Sequence, residues 1–473
     1  MKTVFLSTSI PYVNGKPHIG FAFEAVQSDV LARSFRQSGN SVYFTSGTDE
    51  NGLKNVESAE KAGKSVQEFV NANADEFESL CKALHVSNDT FIRTTSEKHK
   101  IGAQKLWTLC KHDIYKKTYS GLYCVGCETF YEDGEFPGNI CPNHQRKLEL
   151  VEEENYFFAL SKYQKQLEEL LEKEKLKILP SYRRDELLNF VKKGLHDFSI
   201  SRPTKRMKGW GIPVPEDDDQ RMYVWYDALS NYITALGFGS ENEEQYKSFW
   251  GNSDLRIHVI GKDIIKFHGI YWPAMLMSAS LPLPTHLFTH GFITVDGQKM
   301  SKSLGNVIDP FDMVEKYGVS GVRYYMAREI PVHDDGDYSD TRMVQLHTAD
   351  LANELGNLVS RSLAIASKDG LSVDKITKET NALKNEDDIF SYQKNLENIW
   401  LEIRALNKSF NEFAPWAKEA SERSEFMQNM IKRLQSISYD LEVFLPETSR
   451  MILEKTHGQI EKTEPLFPRI VVA

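Results

Sequence analysis

The chain has 473 residues, 41% of them apolar and 11% aromatic, and a formal net charge of −10 from 57 Lys and Arg against 67 Asp and Glu. That length exceeds one ordinary core and implies two to four domains, while the apolar and aromatic content excludes a disordered chain. The acidic balance argues against a general nucleic-acid coat protein, though not against local basic faces.

The opening MKTVFLSTSIPYV lacks the apolar run of a secretory leader, and no later stretch approaches the ~18 apolar residues of a membrane span, so a cytoplasmic location is expected. VFLST (4–8) reads as a strand ending in a loop, and residues 18–39 carry helical spacing through Ala22, Val26, Val30 and Leu31. VYFTSGTDENG (42–52) is a second strand running into a polar loop, and residues 65–86 form an amphipathic helix pattern. Strand, loop and helix repeated in this order open a parallel α/β sheet.

The pattern changes at about residue 115. YCVGCETFYEDGEFPGNICPNH places Cys124 and Cys127 in a C-x2-C turn and Cys141 with His144 in C-x2-H. Two such knuckles complete a tetrahedral, all-protein set suited to a structural Zn²⁺ without an open position for chemistry. A charged helix pattern follows over 161–180. A basic stretch, 181–208, then reads either as a solvated surface or as a polyanion-facing patch. We take 115–221 as an insertion between halves of the α/β domain. The strand pattern returns at MYVWYDA (222–228) and IHVIGKD (257–263), each expected to be a strand ending in an acidic loop. HLFTHGFITV (286–295) leads to the glycine-flanked QKMSKSLGN (298–306). Beyond about 345 the patterns are helical: 346–367, 397–413 and 424–445 read as an antiparallel bundle. No G-x-G-x-x-G occurs, which weighs against a dinucleotide-dependent dehydrogenase.

The loop after the first strand, SIPYVNGKPHIGF, puts His18 where a helix begins, and a helix N-terminus attracts anions. Paired with KMSKS, this resembles the class I aminoacyl-tRNA synthetases, whose signatures are HIGH and KMSKS; here they read His18-Ile19-Gly20-Phe21 and Lys299-Met300-Ser301-Lys302-Ser303. SIPYVNGKPHIG, GTDENG, YVWYDALSNYI, IGKDIIKFHGIYWPAML, GNLVSRS and APW are similar to the methionine-specific branch of that class, over essentially the whole chain.

The resemblance implies a Rossmann-type catalytic domain (1–114 and 222–290) split by the zinc-knuckle insertion (115–221), a KMSKS-bearing linking region (291–345) and an α-helical anticodon-binding domain (346–473). It implies activation of L-methionine with ATP and Mg²⁺, then transfer to initiator and elongator tRNA(Met). Lys302, Lys299 and His18 are the expected catalytic residues. Lys16, His18, Gly20, Gly261, Lys262, Asp263, Lys299, Ser301 and Lys302 are expected around ATP. Asp49 is expected to receive the substrate ammonium, while Ile10, Tyr12, Trp225, Ala228, Leu229, Tyr232, Ile264 and His268 surround the side chain. Asn357, Arg361 and Trp416 are expected at the anticodon, and Cys124, Cys127, Cys141 and His144 at one structural Zn²⁺. Phe21 replaces the second signature histidine and carries no expected chemical role. Two rivals stand beside this reading: a cysteine or branched-chain synthetase, and a non-catalytic tRNA-binding paralogue. With no appended dimerisation domain after EPLFPRIVVA, a monomer is expected.

Overall fold

The computed structural model describes residues 1–124, 129–131, 134–142, 145–300, 306–377, 389–468 and 470. Cys127, His144, Ser301 and Lys302 lie outside the described residues.

Among the described residues, one all-parallel sheet is built from β1 (Thr3–Ser7), β2 (Ser41–Thr48), β3 (Thr90–Arg93), β4 (Lys177–Leu179), β5 (Leu255–Gly261) and β6 (His286–His290), in the order β3-β2-β1-β5-β6-β4. β1 and β5 are apolar runs buried on both faces, as central parallel strands require. They pair side by side although some 250 residues separate them, and that strand-order reversal opens a crevice at their carboxyl ends. Helix α1 (Ile19–Gln37) follows β1, is buried along most of its length, and ends at Ser38 before Gly39, whose φ is +80°. Helix α2 (Val66–Ala83) begins with a capping box between Ser65 and Glu68.

The inserted stretch divides in two. Its first part is an antiparallel sheet containing Ile114–Cys124 paired with Glu149–Phe158. Its second part returns to the main sheet, since β4 pairs in parallel with β6 and is followed by helix α4 (Ser181–Lys192), α3 being Glu97–Leu109. MYVWYDA corrects one expectation. The strand stops at Met222, and helix α5 (Val224–Thr234) begins two residues later, so Asp227 is buried in a helix and not in an acidic loop. Ten of the eleven α5 residues are buried, so no polar face betrays the helical period.

Helix α6 (Pro310–Arg328) ties the sheet to the helical C-terminal region, which contains α7 (Asn357–Lys368), α8 (Tyr392–Phe413), α9 (Ala420–Leu441) and α10 (Pro446–Lys455). Its Arg323 is fully buried, pairs with Asp29 of α1 at 2.7 Å, and donates to the carbonyls of Leu84, Val443 and Phe444. Breaking such a buried pair by deleting one partner typically costs ~3–5 kcal/mol, so this arginine pins three regions together. Among the described residues no helix is long and apolar enough to cross a membrane.

Candidate active site

The loops leaving β1 and β2 are zipped together by Asp49 N–H donating to the Pro11 carbonyl (2.9 Å) and Val13 N–H donating to the Asp49 carbonyl (3.4 Å). The Asn55 amide donates to the same carbonyl at 3.1 Å. Asp49 is thereby held at the crevice with only 3% of its surface exposed. From the other side come α5 and the turn after β5. Together they form a cleft lined by Ile10, Tyr12, Asp49, Trp225, Ala228, Leu229, Tyr232, Ile264 and His268, with Ser9. The nine residues expected at the amino-acid pocket therefore share one cavity, and Ser9 is the one the sequence reading omitted.

Its deep wall is fixed in one protonation pattern. The His268 Nδ1–H donates to the Ile264 carbonyl (2.9 Å), so Nε2 accepts from the Tyr232 hydroxyl (2.7 Å). Burial pushes the His268 pKa down to about 4, so the ring is neutral at neutral pH. Trp225 stacks on Phe267 at 3.7 Å and 5°. Below, the His258 ring lies 4.0 Å from Tyr232 and bonds Ser7 Oγ through Nδ1 at 2.8 Å.

Two buried polar assemblies behind the cleft escaped the sequence reading. Glu24 accepts from Ser9 N–H and Oγ–H, both at 2.7 Å, and from His290 Nε2 at 2.8 Å. Burial alone would lower the His290 pKa, but the hydrogen bond and charge of Glu24 hold it above the ordinary value. In the second assembly, His99 of α3 bonds Asp227 (2.6 Å) and Thr234 (2.7 Å), and Asp227 accepts from the Asn51 amide (2.7 Å). This network locks α5 to the Asp49 loop. An acid set within the apolar run of α1 was a usable signal for Glu24, as for Asp29; nothing in the local pattern marks His99.

The side where the sequence places ATP is more open. His18 caps α1, its Nδ1 accepting from Gly20 N–H at 3.1 Å, which places the proton of the neutral ring on Nε2, a donor. A Cβ on Gly20 would come within 2.9 Å of that imidazole. Phe21 is 5% exposed and packs edge-to-face on Phe77 at 4.9 Å, a core role in place of a phosphate ligand. Lys16 is exposed in the loop before α1. Gly261 ends β5, where a Cβ would sit 2.8 Å from Asp263 Oδ1. Lys262 forms an ion pair with Asp335, at 2.6 and 2.8 Å to its two oxygens. Lys299 lies in strand β8 (Gln298–Lys299), paired with β7 (Ile293–Val295), which also pairs with β9 (Gly336–Tyr338).

In the helical region, Arg361 lies 5.1 Å from the Trp416 ring and 4.7 Å from Phe410, and it donates to Asn411 at 2.9 Å. Ala414, with φ +51°, and Pro415 reverse the chain and leave Trp416 54% exposed. Asn357 is exposed one turn before Arg361. In the insertion, Cys124 and Cys141 are buried in one small cluster with Leu122 and Leu148. The basic stretch at 181–208 is not a bare cationic face: Arg183, Arg184, Lys192, Arg206 and Lys208 pair with Glu186, Glu174, Glu172, Glu153 and Glu60.

A parallel sheet with a crevice at its order reversal, a histidine capping the helix after its first strand and a KMSKS sequence after its last together mark a class I tRNA synthetase. The family described as "tRNA synthetases class I (M)" matches residues 4–149 and 144–363, and the chain belongs to that family. Within it, the chain is 38% identical to the methionine–tRNA ligase of Brucella melitensis, covering 99% of this chain and 98% of that protein. It is 40% identical to the Thermotoga maritima methionine–tRNA ligase over 95% of this chain and 75% of that one. The Mycobacterium tuberculosis methionyl-tRNA synthetase in complex with methionyl-adenylate superposes with a TM-score of 0.90 at 35% identity, over 99% of this chain and all of that one. The apo form of that enzyme gives 0.83 at 32% identity.

Proposed function

We propose that this chain is a methionine–tRNA ligase, which activates L-methionine with ATP to methionyl-adenylate plus pyrophosphate and then transfers methionine to tRNA(Met). The observation that carries this reading is a cleft in which a buried carboxylate, Asp49, shares the lining with an aromatic wall closed by the Tyr232–His268 pair.

In that cleft Asp49 takes the substrate ammonium in a charge-assisted bond. The neutral Tyr232–His268 pair and Trp225 form an uncharged, polarisable wall for a thioether. The methionine carboxylate then attacks the α-phosphorus of ATP in line, and pyrophosphate leaves. ATP enters as its Mg²⁺ complex. His18 Nε2–H donates to a phosphate oxygen at the α1 N-terminus, where the helix dipole also favours an anion. Lys262, Lys299 and Lys302 balance the charge that grows on the phosphates, with Ser301 beside them; removing one such donor costs ~3–4 kcal/mol in the transition state. Gly261 and Asp263 hold the ribose.

Asn357, Arg361 and Trp416 read the anticodon of initiator and elongator tRNA(Met) by edge contacts and stacking, the mode suited to unpaired bases. For zinc, the donor chemistry fits: two thiols, Cys124 and Cys141, are buried in one cluster, and with Cys127 and His144 they would make a closed set holding the insertion together. A cytoplasmic monomer is the state this reading expects.

The deciding experiment is ATP–pyrophosphate exchange with methionine, leucine and cysteine, followed by charging of tRNA(Met). Methionine-dependent exchange with charging supports the reading; a chain that binds tRNA(Met) without exchange is the non-catalytic paralogue, and preference for another amino acid assigns another synthetase.

A further inference from the structure

Helix α5 has two working faces. Trp225, Ala228, Leu229 and Tyr232 follow the i, i+3, i+4, i+7 spacing of a single face and line the cleft. Asp227 and Thr234, seven residues apart, share the opposite face, and helix α3 lies against them there. The two helices approach closely at Gly102, where a Cβ would press on Thr234 Cγ2 and come within 2.6 Å of the Phe238 carbonyl oxygen. One turn earlier, Lys98 Nζ donates to the Ala235 carbonyl at the end of α5, at 2.9 Å. Helix α3 is thus the back-plate behind one wall of the cleft.

The other wall, the Asp49 loop, is tied to the same plate. Thr94, in the turn from β3 to α3, takes the Asn51 amide on its carbonyl at 3.1 Å. The Asn51 backbone N–H in turn donates to Asp49 Oδ1 at 3.4 Å. His99 closes the circuit. It is held in the first turn of α3, where its backbone N–H donates to Ser96 Oγ at 3.4 Å, and it is wholly buried. A carboxylate only accepts, so His99 Nε2 donates to Asp227 Oδ1 (2.6 Å), while Asp227 Oδ2 accepts from the Asn51 amide (2.7 Å). His99 Nδ1 meets the Thr234 hydroxyl at 2.7 Å. Without the ring, the buried Asp227 carboxylate would keep one unsatisfied oxygen, a cost relieved only by turning the side chain or admitting water. Either response moves Asn51, and with it Asp49, relative to α5.

We propose that His99 is a positioning residue for the amino acid: from outside the cleft it fixes the spacing between Asp49, which takes the ammonium, and the α5 wall, which takes the side chain. The proposal rests on the ligase reading above and adds to it what sets the length of side chain that fits. Loss of His99 lets the two walls drift apart. Methionine is then gripped at one end only, and a longer side chain is no longer refused.

The test uses the full chain with H99L, H99Q, T234V and the double variant H99L/T234V, each assayed below its thermal midpoint. Pyrophosphate exchange gives the KM for methionine, the KM for ATP and the kcat/KM for ethionine, the S-ethyl homologue. One extra methylene is worth roughly 10–200-fold in an apolar pocket, so wild type should prefer methionine on that scale. H99L is expected to raise the KM for methionine by about ten- to a hundred-fold, the scale of an ångström's misplacement, and to narrow the preference over ethionine by about ten-fold. The KM for ATP should stay within about two-fold of wild type. H99Q, whose amide still donates to Asp227, should recover most of both losses. T234V should show the same pattern more weakly, and the double variant should be no worse than H99L, because the hydroxyl acts through the ring.

A folded H99L with wild-type KM for methionine and wild-type preference overturns the proposal. So does a matching rise in the KM for ATP, or an H99Q no better than H99L. Should H99L not fold, T234V decides, and an unchanged KM and preference there overturns the proposal as well. A wild-type chain without methionine-dependent exchange sinks the ligase reading instead, a failure visible before any variant is made.

Discussion

The two halves of the crevice are built differently. On the side proposed for the amino acid, Asp49, Tyr232 and His268 are at most 3% exposed, and each is held by hydrogen bonds within the protein. On the side proposed for the nucleotide, His18 and Lys16 are exposed, and Lys262 already has a partner in Asp335. The first half is a preorganised mould, in which binding costs little rearrangement. The second half must exchange one set of charges for another when a triphosphate arrives. Substitutions in the mould should therefore act on methionine alone and strongly. Those on the nucleotide side should act on ATP and more gently.

The largest effect is expected at Asp49. Asp49→Asn keeps the volume and removes the charge that faces the substrate ammonium, so kcat/KM for methionine in pyrophosphate exchange should drop by about 4 kcal/mol, ~10³-fold, as when a buried charge loses its partner. The KM for ATP should move little. A matching rise in the KM for ATP would mean that Asp49 only scaffolds the crevice.

Next comes pH. His268 must stay neutral to accept from Tyr232, and burial holds its pKa at about 4 against 6.5 for the exposed ring. The unfolded chain binds this proton more readily, so stability is full above pH 6.5 and falls through the window down to about 4, by about 3 kcal/mol in all. Urea unfolding of wild type and His268→Gln between pH 7.5 and 4 isolates this contribution as the difference between the two slopes. Parallel slopes would place the titration elsewhere. The KM for methionine should climb only as the pH nears 4, where the folded ring itself takes up a proton.

Trp416 lies far from this contrast and sharpens it from outside. Trp416→Ala should weaken tRNA charging by about 2 kcal/mol, the worth of one base stack, with pyrophosphate exchange unchanged. Its ring is exposed and held by Arg361 at 5.1 Å, so the fold should tolerate the loss. Equal loss of both activities would tie Trp416 to the catalytic crevice.

Much of this architecture was legible because strand and helix signals were local. VFLST, VYFTSGT and IHVIG became β1, β2 and β5, and the residues that follow each became the crevice. The nine pocket positions were legible only through ordered motifs; composition gave no hint that Trp225 and Ile264 would meet. Two things stayed dark for physical reasons. Helix α5 is buried on nearly all sides, so its aromatic run imitated a strand. Arg323, His99 and Glu24 act through Asp29, Asp227 and His290, which lie 294, 128 and 266 positions away, and single-sequence spacing carries no record of such pairings.

The smallest effect tests the nucleotide half directly. Asp335 holds Lys262 through both oxygens and also accepts from Phe292 N–H at 2.8 Å. Its side chain is 51% exposed, so the ion pair is worth no more than ~1 kcal/mol. Asp335→Asn keeps an acceptor for Phe292 while removing the charge that competes with a triphosphate for Lys262. The KM for ATP should therefore fall, by roughly two- to five-fold, which is what ~0.5–1 kcal/mol provides. The KM for methionine should not change, because the mould does not share this lysine. A KM for ATP that rises would show Asp335 to be an aid to nucleotide binding, and the contrast between a finished half and an exchanging half would fail at that point.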